Sequence, residues 1–87
     1  MGQRTDPENL DEVPWSEAVT AYDEAHFVIY ARLLDAHDDG ASWEEMARLV
    51  LGIDPIKDPG RAQRSVSSHL RRARWMTEKG YRHLLGR

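Results

Sequence analysis

Arg64, Ser68, Arg71, Arg72, Trp75, Lys79 and Arg82 recur at helical intervals near the end of an 87-residue chain. At about 100° per residue they gather on one side of a helix, which places a tryptophan inside a basic stripe. Three readings follow. In the first, arginines meet phosphates while Arg64 or Ser68 reaches base edges, as on a recognition helix. Arg61, Arg64, Ser68, Arg71 and Arg72 are then the nucleic-acid-binding set. In the second, Trp75 with Arg71 and Arg72 forms a protein-binding hot spot, because Trp and Arg dominate such centres. In the third, Trp75 is half-buried beneath the N-terminal segment or the first helix, and the stripe is a solvated surface.

Catalytic chemistry finds no support. His26, His37, His69 and His83 have no metal-ligand spacing, and Asp38-Asp39 precedes Gly40 in a pattern that turn chemistry explains. There is no cysteine, no G-x-S-x-G serine and no glycine-rich phosphate loop. The expectation is a non-enzymatic domain with no metal and no cofactor. The acidic N-terminus is not a signal sequence and no apolar run is long enough to span a bilayer, so a cytoplasmic protein without a membrane partner is expected.

The net charge of −3 conceals a division. Residues 1–56 carry three bases and thirteen acids, whereas residues 57–87 carry nine bases and two acids. Such asymmetry points to an acidic partner for the basic half, or to acidic helices folded back upon it. The isoelectric point near 5.7 lies well below the ~9 expected of a nucleic-acid-binding domain and argues for weak DNA binding.

The elements that must position this stripe are helical. Residues 1–14 read as a flexible acidic tail, with Leu10, Val13 and Trp15 as anchors, and residues 15–87 as one domain. Thr20 with Asp23 resembles a capping box opening a helix that runs to about His37 and stops at Gly40. Ala21, Ala25, Ile29, Leu33 and Ala36 form one apolar stripe of that helix. Phe27, Tyr30, Ala31 and Leu34 form another. Ser42 with Glu45 opens a second helix, with Trp43, Met46, Ala47 and Val50 inward and Gly52 at its end. Asp58 caps a third helix at Pro59, which runs to about Lys79 after a connection longer than a tight helix-turn-helix turn. Tyr81, Leu84 and Leu85 close the core in a short C-terminal helix. Ile29, Leu33, Trp43, Val50, Leu70, Ala73 and Leu84 are expected to be mostly buried. The stripe of Phe27, Tyr30 and Leu34 is expected to face a protein partner, so that Tyr30→Ala or Leu34→Ala weakens binding and spares the fold.

Six stretches carry a resemblance: Tyr22-Asp23, Ala31-Arg32-Leu33-Leu34-Asp35-Ala36, Gly40-Ala41-Ser42-Trp43, Gly52-Ile53-Asp54-Pro55, His69 to Met76, and Gly80 to Leu85. In this order they resemble a proteobacterial family of extended-turn helix-turn-helix domains encoded on integrative and conjugative elements, long catalogued as a domain of unknown function. The resemblance implies an all-α, helix-turn-helix-like bundle of three main helices plus a short C-terminal one. Some members of that family are DNA-binding halves of transfer activators. Stand-alone acidic members are quorum-sensing antiactivators. The short acidic chain resembles the latter, which implies that it binds the N-terminal domain of an FseA-like transcriptional activator, and also a LuxR/TraR-type regulator, through Phe27, Tyr30, Leu34, Arg71, Arg72 and Trp75. DNA is then expected to be bound weakly or not at all. The alternative is a small DNA-binding transcriptional regulator using the third helix.

Overall fold

A computed structural model describes residues 12–80, and among these every regular element is helical. Residues 12–20 run without regular structure as a strap into α1 (Ala21–Ala25), which is followed by α2 (Phe27–Asp38), α3 (Trp43–Met46) and α4 (Pro59–Trp75). Wide, π-helical turns extend α3 through Ala47–Leu51 and α4 through Met76–Gly80. The all-helical class is as expected. The tail residues 1–11, the C-terminal helix with Tyr81, Leu84 and Leu85, and Arg82 lie outside the described residues. No helix among the described residues is long and apolar enough to cross a membrane.

The local signals hold. Thr20 and Ser42 both form reciprocal capping boxes, with Asp23 and Glu45, and Asp58 accepts from the Arg61 N–H ahead of Pro59. These bonds satisfy amide donors that a helix start leaves without partners. The expected single first helix is instead divided at His26 (φ −124°, ψ 20°). His26 Nδ1 donates to the Tyr22 carbonyl at 2.7 Å, taking the acceptor that α-helical geometry would give its own N–H. That N–H turns to Asp23 O at 3.0 Å instead.

Gly52 ends the second helical segment at φ +71°, and no atom lies within 4 Å of where its Cβ would stand. The cost of a side chain there is purely one of backbone conformation. Gly52→Ala is therefore expected to lower unfolding free energy by about 1 kcal/mol in urea melts, without a change in fold. Beyond Gly52, Ile53 and Pro55 turn inward while Asp54 Oδ1 accepts from the N–H groups of Ile56 (2.9 Å) and Lys57 (3.3 Å), which fixes the extended turn before α4.

One core cluster joins Leu33 of α2, Met46, Ala47 and Leu51, Ile53 of the turn, and Ala62, Val66 and Leu70 of α4. A second joins Tyr30 to Ala73, Trp75 and Met76. Each fully buried aliphatic side chain contributes roughly 1.5–3 kcal/mol of transfer free energy. Leu33, Leu70 and Ala73 are buried as expected, whereas Ile29, Trp43 and Val50 are only half-buried against the first cluster.

Candidate nucleic-acid interface

α4 has three uses around its circumference. One flank, Ala62, Val66, Leu70 and Ala73, is apolar core. The adjoining flank holds a buried polar network. Arg72, fully buried, donates from Nε to Asp23 Oδ1 (2.9 Å) and from Nη2 to Asp23 Oδ2 (2.6 Å). Nη1 donates to the strap carbonyl of Ser16 (2.6 Å) and Nη2 also to that of Ala18 (2.8 Å). The guanidinium packs in the corner of a T-shaped pair of indoles, 4.0 Å from the Trp75 ring centre and 4.9 Å from that of Trp15. Tyr30 donates its hydroxyl to Asp23 Oδ1 at 2.7 Å. Burial pushes the Asp23 carboxyl up, but the hydrogen bonds from Arg72, the Thr20 amide and Tyr30, with the Arg72 charge, prevail and hold it at about 2. Burial and the Asp23 hydrogen bond together push Tyr30 up, and the Asp23 hydrogen bond raises Arg72.

His69 completes this flank. Its Nδ1–H donates to the Ser65 carbonyl, and its Nε2 lies in hydrogen-bond contact with the Tyr22 hydroxyl, both at 2.7 Å. Burial depresses its pKa below the ordinary 6.5; the Ser65 hydrogen bond opposes this only in part, and His26 adds to it. A depressed histidine contributes stability that is complete above pH 6.5 and drains away as pH falls below it. The melting temperature is accordingly expected to decline from pH 6.5 toward pH 5, and His69→Gln to flatten that decline. An unchanged slope in the variant would assign the titration elsewhere.

The remaining arc of α4 faces solvent: Gly60, Gln63, Arg64, Ser67, Arg71 and Arg74 are exposed, with Lys57 exposed in the turn before it. α4 carries no carboxylate between Pro59 and Trp75. Arg74 Nη2 donates to His37 Nε2 at 3.3 Å, at one margin of this face. Most exposed acids lie on other elements: Glu12 and Glu17 on the strap, Glu24 on α1, Asp35, Asp38 and Asp39 at the end of α2, and Glu44 and Glu45 on α3; Asp54 and Asp58 in the turn before α4 and Glu78 beyond Trp75 border the two ends of the face. The molecule is thus locally basic on one helix face despite its net negative charge, and it is the local field that steers a polyanion.

The basic stripe expected from sequence is not one surface. Arg64 and Arg71 are exposed, Arg61 and Ser68 are half-buried, and Arg72 and Trp75 are buried in the latch to Asp23 and Trp15. Lys79 is exposed one turn beyond Trp75. Of the residues expected to dock a protein, Arg72 and Trp75 therefore present no docking surface. Tyr30 is core, 3% exposed, and its replacement by alanine removes a fold contact. Phe27 and Leu34 are half-buried along a 220 Å³ apolar groove between α2 and the end of α4, which Ala73 and Met76 also line. Gln63, Ser67 and Arg74 were missed. Each directly follows a core residue, Ala62, Val66 or Ala73, and the exposed arc is shifted toward them because His69, Arg72 and Trp75 are buried on the other flank, which the apolar phase of the helix does not reveal.

Residues 3–86 match the family described as T6SS transcription factor, DNA-binding domain (RovC_DNA-bd). The chain belongs to this RovC-type DNA-binding domain family. No curated protein matches it. The match corrects the expected partners. A RovC-type domain is a DNA-binding domain, so the expectation that DNA is bound weakly or not at all, with an FseA-like activator or a LuxR/TraR-type regulator as principal partner, is overturned. The protein partners came from the likeness of a short acidic chain to stand-alone antiactivators, and the weak DNA binding from the isoelectric point, which averages over faces that the fold keeps apart. The extended-turn helix-turn-helix resemblance agrees with the match at the level of a DNA-binding regulatory domain.

Proposed function

We propose that this RovC-type domain is a non-catalytic transcriptional regulator that binds double-stranded DNA with α4 as its recognition helix. The observation that carries the reading is the carboxylate-free, solvent-facing arc of α4 in a chain whose family binds DNA. A B-DNA major groove about 12 Å wide admits a helix. In a helix-turn-helix the N-terminal part of the recognition helix meets base edges. Gln63, Arg64 and Ser67 occupy that part, with side chains suited to adenine and guanine edges. Arg71 and Arg74 further along, and Lys57 before the helix, are placed to meet phosphates, which set register and supply much of the affinity.

The resemblance to quorum-sensing antiactivators does not carry the function. The docking residues it implies include Tyr30, Arg72 and Trp75, which the fold buries. The test is a fluorescence-anisotropy titration of random-sequence and promoter duplexes with the protein alone, from about 50 to 200 mM salt. Binding is expected, with log K falling linearly against log salt at a slope near −0.9 per phosphate neutralised. Absence of binding at the lowest salt would overturn the reading.

A further inference from the structure

The strap does more than tie α1 to α4. The Val13 N–H donates to Ser68 Oγ at 3.2 Å, and Ser68 lies one turn from both Arg64 and Arg71. Arg72 holds the Ser16 and Ala18 carbonyls, and Trp15 packs edge-on against Trp75 at 6.0 Å. Chain preceding Val13 therefore departs from the margin of the recognition face. That chain is strongly acidic: residues 1–12 hold Asp6, Glu8, Asp11 and Glu12 against Arg4 alone.

We infer that the acidic segment of residues 1–12 competes with DNA for the basic face of α4 and so acts as an intramolecular brake on binding. The inference rests on the reading of α4 as the DNA-contacting helix. Carboxylates and phosphates are the same class of ligand for a guanidinium, so a tethered carboxylate occupies what a phosphate would need. Reach is sufficient: twelve extended residues span roughly 40 Å, whereas a helix of α4's 17 residues is about 25 Å long. Tethering also gives the carboxylates a local concentration in about the millimolar range, well above that of duplex in a binding titration.

Three full-length proteins test this by anisotropy against one random-sequence duplex at about 50 mM salt: wild type; an arm variant carrying Asp6→Asn, Glu8→Gln, Asp11→Asn and Glu12→Gln; and a control with equal charge change, Glu24→Gln, Asp35→Asn, Asp38→Asn and Asp39→Asn. The arm variant is expected to bind about tenfold tighter or more, and the control less than about threefold tighter. Equal gains would mean that net charge alone is at work and overturn the brake, as would weaker binding by the arm variant. If the wild type binds and the arm variant matches the control, the brake fails and the DNA-binding reading stands. If none of the three binds, the DNA-binding reading fails and the brake with it. Without DNA, the Nε–Hε resonances of Arg64 and Arg71 should shift on neutralising the arm; unmoved resonances would also overturn the proposal.

Discussion

Asp23→Ala is expected to destabilise the domain by about 3–5 kcal/mol, because it leaves the Arg72 guanidinium buried without its counter-charge. For a domain whose whole stability is about 5–15 kcal/mol, that is a large share. It should lower the melting temperature by roughly 12–40 °C, at about 4–8 °C per kcal/mol for a chain of this size. Tyr30 and the Thr20 amide lose their acceptor in the same change. The paired substitution Asp23→Leu with Arg72→Met removes both charges and should recover much of the loss, since apolar replacements of buried ion pairs are often neutral. A loss below about 1 kcal/mol for Asp23→Ala would show that the guanidinium is hydrated and the latch open in solution. The pair also sets the acid limit. Asp23 sits at about 2, below its ordinary 3.8. Its contribution is complete above that ordinary value and is lost as pH falls through the folded one.

Replacing Arg64, Arg71 and Arg74 together by glutamine should weaken duplex binding by roughly a hundredfold or more while leaving the thermal melt unchanged, because all three are exposed. The single changes should separate by role. Arg71→Gln and Arg74→Gln should each lower affinity evenly across sequences and reduce the salt slope by about 1. Arg64→Ala and Gln63→Ala should each cost about 1–3 kcal/mol against a preferred site and relax the preference at one base. A triple variant that binds as wild type does would move the interface off α4.

The parts of this fold legible in the sequence are those decided within four residues. Thr20 with Asp23, Ser42 with Glu45 and Asp58 before Pro59 each specify a helix start by their own hydrogen bonds, and each is found where the spacing puts it. Gly52 is equally local, since the left-handed backbone at a helix end favours glycine. The Asp23–Arg72 pair is not local. Its members lie 49 residues apart, and nothing near Arg72 names its partner. An arginine is exposed far more often than it is buried, so grouping it with the surface charges was the default. Its phase told otherwise, because Arg72 follows buried His69 by three residues and precedes buried Met76 by four. Trp75 went the same way. Its half-buried alternative was open from sequence, and the indole of Trp15 and the Arg72 guanidinium against its ring favour it. The division of the first helix at His26 depends on a side chain taking a backbone acceptor, which hydrophobic periodicity does not register.

The latch also has a bearing on the order of assembly. Arg72 binds Ser16, Ala18 and Asp23 across 56, 54 and 49 residues of chain. On a ribosome the strap and α1 therefore emerge long before the group that neutralises Asp23. Until α4 has left the exit tunnel, that carboxylate stays in water and the helix starts at Thr20 and Ser42 have only their local bonds, too few for short helices to persist. Such a chain gains its tertiary order late, since its longest-range contacts, Trp15 with Trp75, Ser16 with Arg72 and Val13 with Ser68, all close on the C-terminal half of α4. A nascent domain released before Arg72 would thus be an unfolded acidic peptide rather than a partly working repressor or activator.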